Sequence, residues 1–367
     1  MKVLITHASA GAGHQKAAEA IYGYFKKHRP DIDTEIIDVL DLSSGFLKFS
    51  YTSGYNFLIR YATFIWAVAF WFTSVMALRA ISRANAAFFN NLSTKKYRQL
   101  LIQENAEYII STHFLSSEIA ANLKRKGRIN SKVITIVTDF GVHPFWLSEG
   151  TDTYIVTSAY AKGVLIKEGV SQDKIKEFGI PVDEKFTFNY DRSKLGLKLG
   201  IDPGKFTVLV MTGSFGLGPI EETVEALCQE VQIIVVCARN KKLFNRLRPK
   251  QVSSVKVFGF VDNIQELMAV SDCIVTKPGG LSISELLSIN LAPIFISAIP
   301  GQESINEQVL KSLKIGVSAK DALSIKEIIL DYKNNPEKLA LIKKNIRDIR
   351  KPSASEEILN AICSGSI

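Results

Sequence analysis

The chain has 367 residues, is 47% hydrophobic and 22% charged, and carries a formal charge of +9. That length and apolar content describe a globular chain with room for two domains of ordinary size, and no internal repeat or low-complexity tract argues otherwise. Its four cysteines, Cys228, Cys237, Cys273 and Cys363, all fall late and form no C-x-x-C pair, which speaks against a disulfide framework or a zinc site and fits a reducing cytoplasm.

Met1 runs straight into the apolar strand Lys2 to Ile5, so no cleavable signal peptide is expected ahead of the fold. The small-residue loop His7 to His14 follows, then a helix from about Gln15 to His28 and a strand from Thr34 to Val39. This β–loop–α–β opening predicts a doubly wound sheet with its first loop outside the carboxyl end of the first strand. Gly11-x-Gly13 fails the dinucleotide fingerprint because Lys16 stands where the third glycine belongs, and no G-x-x-x-x-G-K-[ST] string occurs. His14 projects from the helix start, either as a polar cap residue or as a proton-transfer group.

Residues 43–92 break the alternation. From Tyr61 to Leu78 no charge appears, yet a single span would place the first β–α–β unit across a bilayer from the rest of the sheet. An in-plane element is expected instead, with Phe64, Trp66, Phe70, Trp71 and Phe72 in the headgroup boundary. Arg60, Arg79, Arg83, Lys95 and Lys96 would lie against anionic lipid; a buried helical hairpin is the competing reading. No basic run with interleaved aromatics resembles a nucleic-acid module, so the positive charge also favours anionic lipid.

Strands are then predicted at Tyr108 to Ser111, Val133 to Val137 and Ile155 to Thr157, with helices at Ser116 to Lys126 and around Tyr160 to Glu168. Asp139, at a strand end, and His143 nearby point at the same crevice as His14, although Asp139 also suits a turn cap. A polar, turn-rich boundary lies near Pro181 to Pro203. A second α/β unit starts at Phe206 to Met211, with the glycine loop Thr212 to Gly218 and further strands at Gln232 to Cys237, Val255 to Phe258, Cys273 to Thr276 and Pro293 to Ile296. The last helices run from about Ser324 to Cys363.

The most telling stretch is Lys277-Pro278-Gly279-Gly280-Leu281-Ser282-Ile283-Ser284-Glu285, which reads as strand, glycine turn and helix. Such a turn leaves N–H groups and the positive helix end facing the open sheet edge, where a phosphate sits well. Ser282 with Glu285 has the spacing of a capping box; Glu285 either closes that box or reaches a ligand hydroxyl pair. Ile299-Pro300-Gly301-Gln302-Glu303 is another strand-to-helix turn. Two doubly wound halves with glycine turns in the second make a cleft enzyme the expected class.

Together with Ser9 to His14, Thr138-Asp139-Phe140 and Phe258-Gly259-Phe260-Val261, these strings resemble the diacylglycerol glycosyltransferases, which include the monogalactosyldiacylglycerol synthases and the processive diacylglycerol glucosyltransferases. The likeness runs over nearly the whole chain and is shared more loosely with the N-acetylglucosaminyltransferase of peptidoglycan precursor synthesis. It implies a glycosyltransferase B-type fold, two Rossmann-like domains facing across a cleft: residues 1–181 for acceptor and membrane, 203–350 for the nucleotide sugar, and a C-terminal helix over 351–367. It also implies an inverting transferase that uses a UDP-sugar, needs no metal and has no other cofactor.

By that resemblance Glu285 takes the ribose hydroxyls, and Gly213, Ser214, Gly279, Gly280, Leu281 and Ser282 lie round the diphosphate. The backbone from Phe258 to Val261 faces uracil, and Gln302 and Glu303 meet the donor sugar. His14 handles the acceptor hydroxyl with Asp139 opposite it; Gly13 and His143 belong to the acceptor side. No D-x-D motif sits at a strand end, since Asp31-Ile32-Asp33 precedes a strand. The expected reaction moves glucose or galactose to diacylglycerol at the cytoplasmic face of the membrane, by a peripheral, monotopic enzyme. The rivals are a polyprenyl-diphosphate-linked acceptor and a non-catalytic sensor of lipid and nucleotide sugar.

Overall fold

The computed structural model describes residues 1–54, 57, 64, 93–213, 218–296 and 298–367. Trp66, Phe70, Trp71 and Ser214 lie outside the described residues, as do Arg60, Phe72, Arg79 and Arg83. Contacts divide the chain into two units: 1–184 with 299–305 and 351–367, and 185–298 with 306–350.

The first unit holds a parallel sheet of β1 (Lys2–His7), β2 (Asp33–Asp38), β3 (Tyr108–Ser111), β4 (Lys132–Ile136), β5 (Thr153–Ile155) and β6 (Ile175–Lys176). Their order is β2-β1-β3-β4-β5-β6, so the strand order reverses between β1 and β3. The inner strands β1, β3 and β4 are mostly apolar and almost wholly buried because helices cover both faces, whereas the edge strand β2 carries Asp33, Glu35 and Asp38. One face packs Val3, Ile5, Ile110, Ile134 and Ile136 under α1 (Ala12–His28), and the other packs Leu4, Ile109 and Val133 under α3 (Lys95–Glu104) and α4 (Phe114–Arg125). Between these lie the short α2 (Gly45–Phe49) and, after β5, α5 (Ala159–Lys167).

The second unit opens with α6 (Arg192–Leu199), a helix in the stretch expected to be a polar boundary. Asp191 caps it by accepting from the N–H groups of Ser193 and Lys194, and Gly200 ends it at φ 67°. Arg192 grips Asp272 with two hydrogen bonds of 2.6 and 2.7 Å, and the same carboxylate accepts from the Thr207 N–H at 2.8 Å. The sheet contains β7 (Thr207–Met211), β8 (Gln232–Val236), β9 (Val255–Phe258), β10 (Cys273–Thr276), β11 (Ala292–Phe295) and β12 (Val317–Ser318). Its order, β12-β11-β10-β7-β8-β9, reverses between β7 and β10. Helices α7 (Ile220–Leu227), α8 (Lys241–Leu247), α9 (Ile264–Ala269), α10 (Gly280–Ser288), α11 (Gln302–Ser312), α12 (Ala322–Asn334) and α13 (Pro336–Ile349) complete the alternation.

The last helix, α14 (Ala354–Ser364), belongs to the first unit. Its Ile358 and Ile362 join the core under α1.

Within the apolar segment, Leu47 is buried, whereas Phe46, Phe49, Phe57 and Phe64 are each at least 60% exposed. Among the described residues no helix is long and apolar enough to cross a membrane.

Candidate functional site

In an open parallel sheet a ligand crevice forms outside the strand ends where the order reverses. In the first unit that place is reached by the loops after β1, β3 and β4. Gly11, at φ 97° and ψ 155°, turns the chain into α1 in a conformation that favours glycine. The helix begins at Ala12 rather than near Gln15, so Gly13 and His14 lie in its first turn.

His14 is held from below. Its Nδ1 lies 2.9 Å from the Thr112 carbonyl oxygen and 2.8 Å from Thr138 Oγ1, while Thr112 Oγ1 donates to the His14 carbonyl at 2.8 Å. A carbonyl only accepts, so Nδ1 carries the proton and Nε2 keeps its lone pair. Burial pushes the imidazole down to about 4; the Thr112 carbonyl acts against that shift and His7 adds to it. At neutral pH His14 is therefore an uncharged ring whose Nε2 is unprotonated. His113 meets it edge-on, with centroids 4.6 Å apart and planes at 80°, and the buried Trp146 lies 6.1 Å away.

Asp139 directly follows Thr138 and is buried. His143 spends its Nδ1 accepting from the Phe145 N–H at 3.3 Å, capping the 3-10 turn Pro144–Trp146 that carries Trp146. Sequence reasoning missed Thr112, His113 and Trp146. Applying the strand-end rule to β3, as it was applied to β1 and β4, would have pointed to the first two.

In the second unit β7 and β10 flank the reversal point. Gly213 follows β7 at φ 75°, and the buried Thr212 hydroxyl before it has no hydrogen-bond partner among the described residues. Gly279 is the N-cap of α10 and brings no side chain of its own to cap that helix. Ser282 is therefore not the N-cap that a capping box with Glu285 needs: it is the third residue of the helix, which the Pro278-Gly279 turn starts three residues earlier. Gly280, Leu281 and Ser282 make up its first turn, whose N–H groups precede the intrahelical bonds. The fully buried Asn306 donates to the Pro278 carbonyl at 3.1 Å and fixes the turn. Glu285 lies a turn further along, half-buried.

Phe258 ends β9, its carbonyl accepting from the Cys237 N–H at 2.9 Å, and Val261 follows in the loop. Gln302 and Glu303 open α11; Glu303 accepts from the Ile299 N–H at 2.7 Å, and both group by contacts with the first unit. Among the described residues no set of three or more His, Cys, Asp or Glu side chains is placed to hold a metal ion.

Two doubly wound units of six parallel strands each give the chain the glycosyltransferase B-type fold. Solved structures agree in fold: the Anabaena HepE protein in complex with UDP (TM-score 0.57, 17% identity, 99% of this chain and 100% of that one) and Acinetobacter baumannii MurG (TM-score 0.61, 13% identity, 99% of each). A UDP-N-acetylglucosamine 2-epimerase from Neisseria meningitidis is similar to the same extent, with TM-score 0.61 and 13% identity over 99% of this chain and 100% of that one.

Residues 14–182 match the family model of monogalactosyldiacylglycerol (MGDG) synthase, and residues 207–358 that of the glycosyltransferase family 28 C-terminal domain. The chain is 27% identical over 375 residues to the processive diacylglycerol beta-glucosyltransferase of Bacillus cereus, covering 98% of this chain and 93% of that one. It is 27% identical over 381 residues to the Bacillus pumilus protein of the same name, covering 100% and 95%. The chain belongs to the diacylglycerol glycosyltransferases of glycosyltransferase family 28.

Proposed function

We propose that this protein is an inverting, metal-independent hexosyltransferase that moves a hexose from a UDP-sugar to the free hydroxyl of diacylglycerol. The observation that carries the proposal is His14, whose Nδ1 is committed to Thr112 and Thr138 so that Nε2 is free to take a proton.

In the proposed reaction the acceptor hydroxyl hydrogen-bonds to Nε2. Its oxygen attacks the anomeric carbon from the side opposite the diphosphate, and the proton passes to the imidazole. The bond from the anomeric carbon to the diphosphate oxygen breaks and UDP departs. A positioned general base of this kind contributes roughly 10²- to 10⁴-fold to rate. The first-turn N–H groups of α10 meet the charge that develops on the diphosphate, the task a cation would otherwise perform. Glu285 is assigned to the ribose hydroxyls, and Asp139, following Thr138, to the acceptor side opposite the base.

The full-length relatives are named glucosyltransferases, which favours glucose as the sugar. The exposed Phe46, Phe49, Phe57 and Phe64 suit contact with a bilayer, and the net charge of +9 suits anionic lipid. A peripheral protein on the cytoplasmic face of the membrane is the corresponding location.

The test is incubation of the purified chain with labelled UDP-glucose or UDP-galactose, diacylglycerol in vesicles with and without phosphatidylglycerol, and EDTA, followed by mass spectrometry of the lipids. A neutral glycolipid of diacylglycerol plus one or more hexoses is expected, undiminished by EDTA. Transfer to a polyprenyl-diphosphate acceptor alone would move the protein to wall-precursor synthesis, and no transfer to either would remove the enzymatic reading.

A further inference from the structure

We propose that His113 is a positioning residue for His14, a second histidine that serves as a neutral aromatic wall fixing the plane of the base; this rests on the transferase reading above. Two geometric observations carry it. The first is the edge-on contact, with ring centroids 4.6 Å apart at 80°. A hydrogen bond at Nδ1 sets the direction in which the His14 ring points but leaves its tilt free, and an edge-on neighbour at this distance removes that freedom.

The second observation is what His113 does with its own ring. It is the N-cap of α4, and its Nδ1 accepts from the Leu115 N–H at 3.1 Å. Accepting that bond requires Nδ1 to be unprotonated, so the ring is tied to the helix as the neutral Nε2–H tautomer. His113 is only 2% exposed, and burial together with His14 and His7 works against charging it. Phe114 at 4.2 Å and Tyr51 at 5.9 Å pack round the ring. The wall is therefore rigid and uncharged, whereas a charged ring beside His14 would oppose its taking up a proton. Histidine fits this position because it alone combines an aromatic ring with an acceptor at the distance the cap requires.

The two duties separate by substitution. His113→Asn keeps a strong N-cap but removes the wall, and His113→Phe keeps a ring but leaves the Leu115 N–H without its acceptor. Loss of alignment by a fraction of an ångström costs on the order of tenfold or more in rate. His113→Asn is thus expected to lower kcat about tenfold, with donor KM unchanged and the melting temperature within about 2 °C of the parent. His113→Phe is expected to hold kcat and lose a few degrees of melting temperature.

The readout that needs no turnover is the ¹⁵N spectrum of histidine-labelled protein, tractable because the chain has five histidines. In His113→Asn the His14 signals should keep the pattern of the Nδ1–H tautomer that Thr112 fixes, but shift and broaden as the ring takes up more than one tilt. A His113→Asn protein with parental kcat and an unchanged His14 spectrum would show that His113 only caps its helix, and the inference would be wrong. Equal kcat losses in both variants would show that an aromatic ring at this position does not preserve the rate, and would overturn it as well. Absence of turnover in the parent protein would count against the transferase reading, while the His14 spectrum would still decide the role of His113.

Discussion

Burial moves three imidazoles of the first unit in the same direction. His14 falls to about 4, His113 falls well below its ordinary value, and His7 falls too, although Asp38, Glu19 and Asp41 oppose its shift. Above about pH 6.5 these rings are neutral in both the folded and the unfolded chain, so they impose no penalty on folding. As pH drops from 6.5 toward 4 the unfolded chain binds protons that the folded chain refuses, and stability is lost. For His14 alone that loss is roughly 2–3 kcal/mol. Denaturant melts should therefore show the first unit weakening steadily through this window. In initial-rate assays after a pH jump, the acid limb of kcat/KM is expected near pH 4. A limb near 6.5 would mean that His14 is solvated, or that another group is the base. His14 itself was legible in the glycine loop and its resemblance, because the motif is local. His113 was not, since its contact with His14 joins residues 99 positions apart in the chain. Ser282 misled for a different reason: Ser-x-x-Glu has the spacing of a capping box, but the glycine turn before it is itself an acceptable helix start.

At the scale of elements, the strands were legible because a parallel sheet covered on both faces requires runs of apolar residues. Helix α6 was hidden by its polar composition; its cap Asp191 and its terminal Gly200 are the same residues that mark loops. The destination of α14 was hidden as well, because nothing local in Ala354 to Ser364 says which sheet its apolar face will cover. In the structure Ile358 is fully buried in the core under α1. Truncating it to Ala should cost about 2–5 kcal/mol through lost burial and the cavity left behind. Two units with separate cores are expected to melt as two calorimetric transitions. The substitution should lower the transition of the first unit and leave the other in place. Movement of the other transition instead would mean that the helix supports the second unit.

For the molecule as a whole, each unit has its own sheet, its own reversal point and its own kind of chemistry beside that point. Uridine diphosphate, on the proposed reading, is bound by the second unit through the α10 start and Glu285, without help from His14. A ligand that binds only the folded form stabilises it by about 2.7 kcal/mol at a hundred times its dissociation constant. Added UDP should therefore raise the transition that Ile358→Ala leaves unmoved. Glu285→Ala should remove most of that rise and increase donor KM, since a hydrogen bond to a charged group is worth about 1.5–3 kcal/mol. His14→Ala should keep the full rise while turnover falls by two orders of magnitude or more. The two variants would then be inactive at cellular donor concentrations by different routes, one through affinity and one through proton transfer. If His14→Ala lost the UDP response, or Glu285→Ala kept it with unchanged KM, the division of labour between the units would be wrong even if the protein proved to be a transferase.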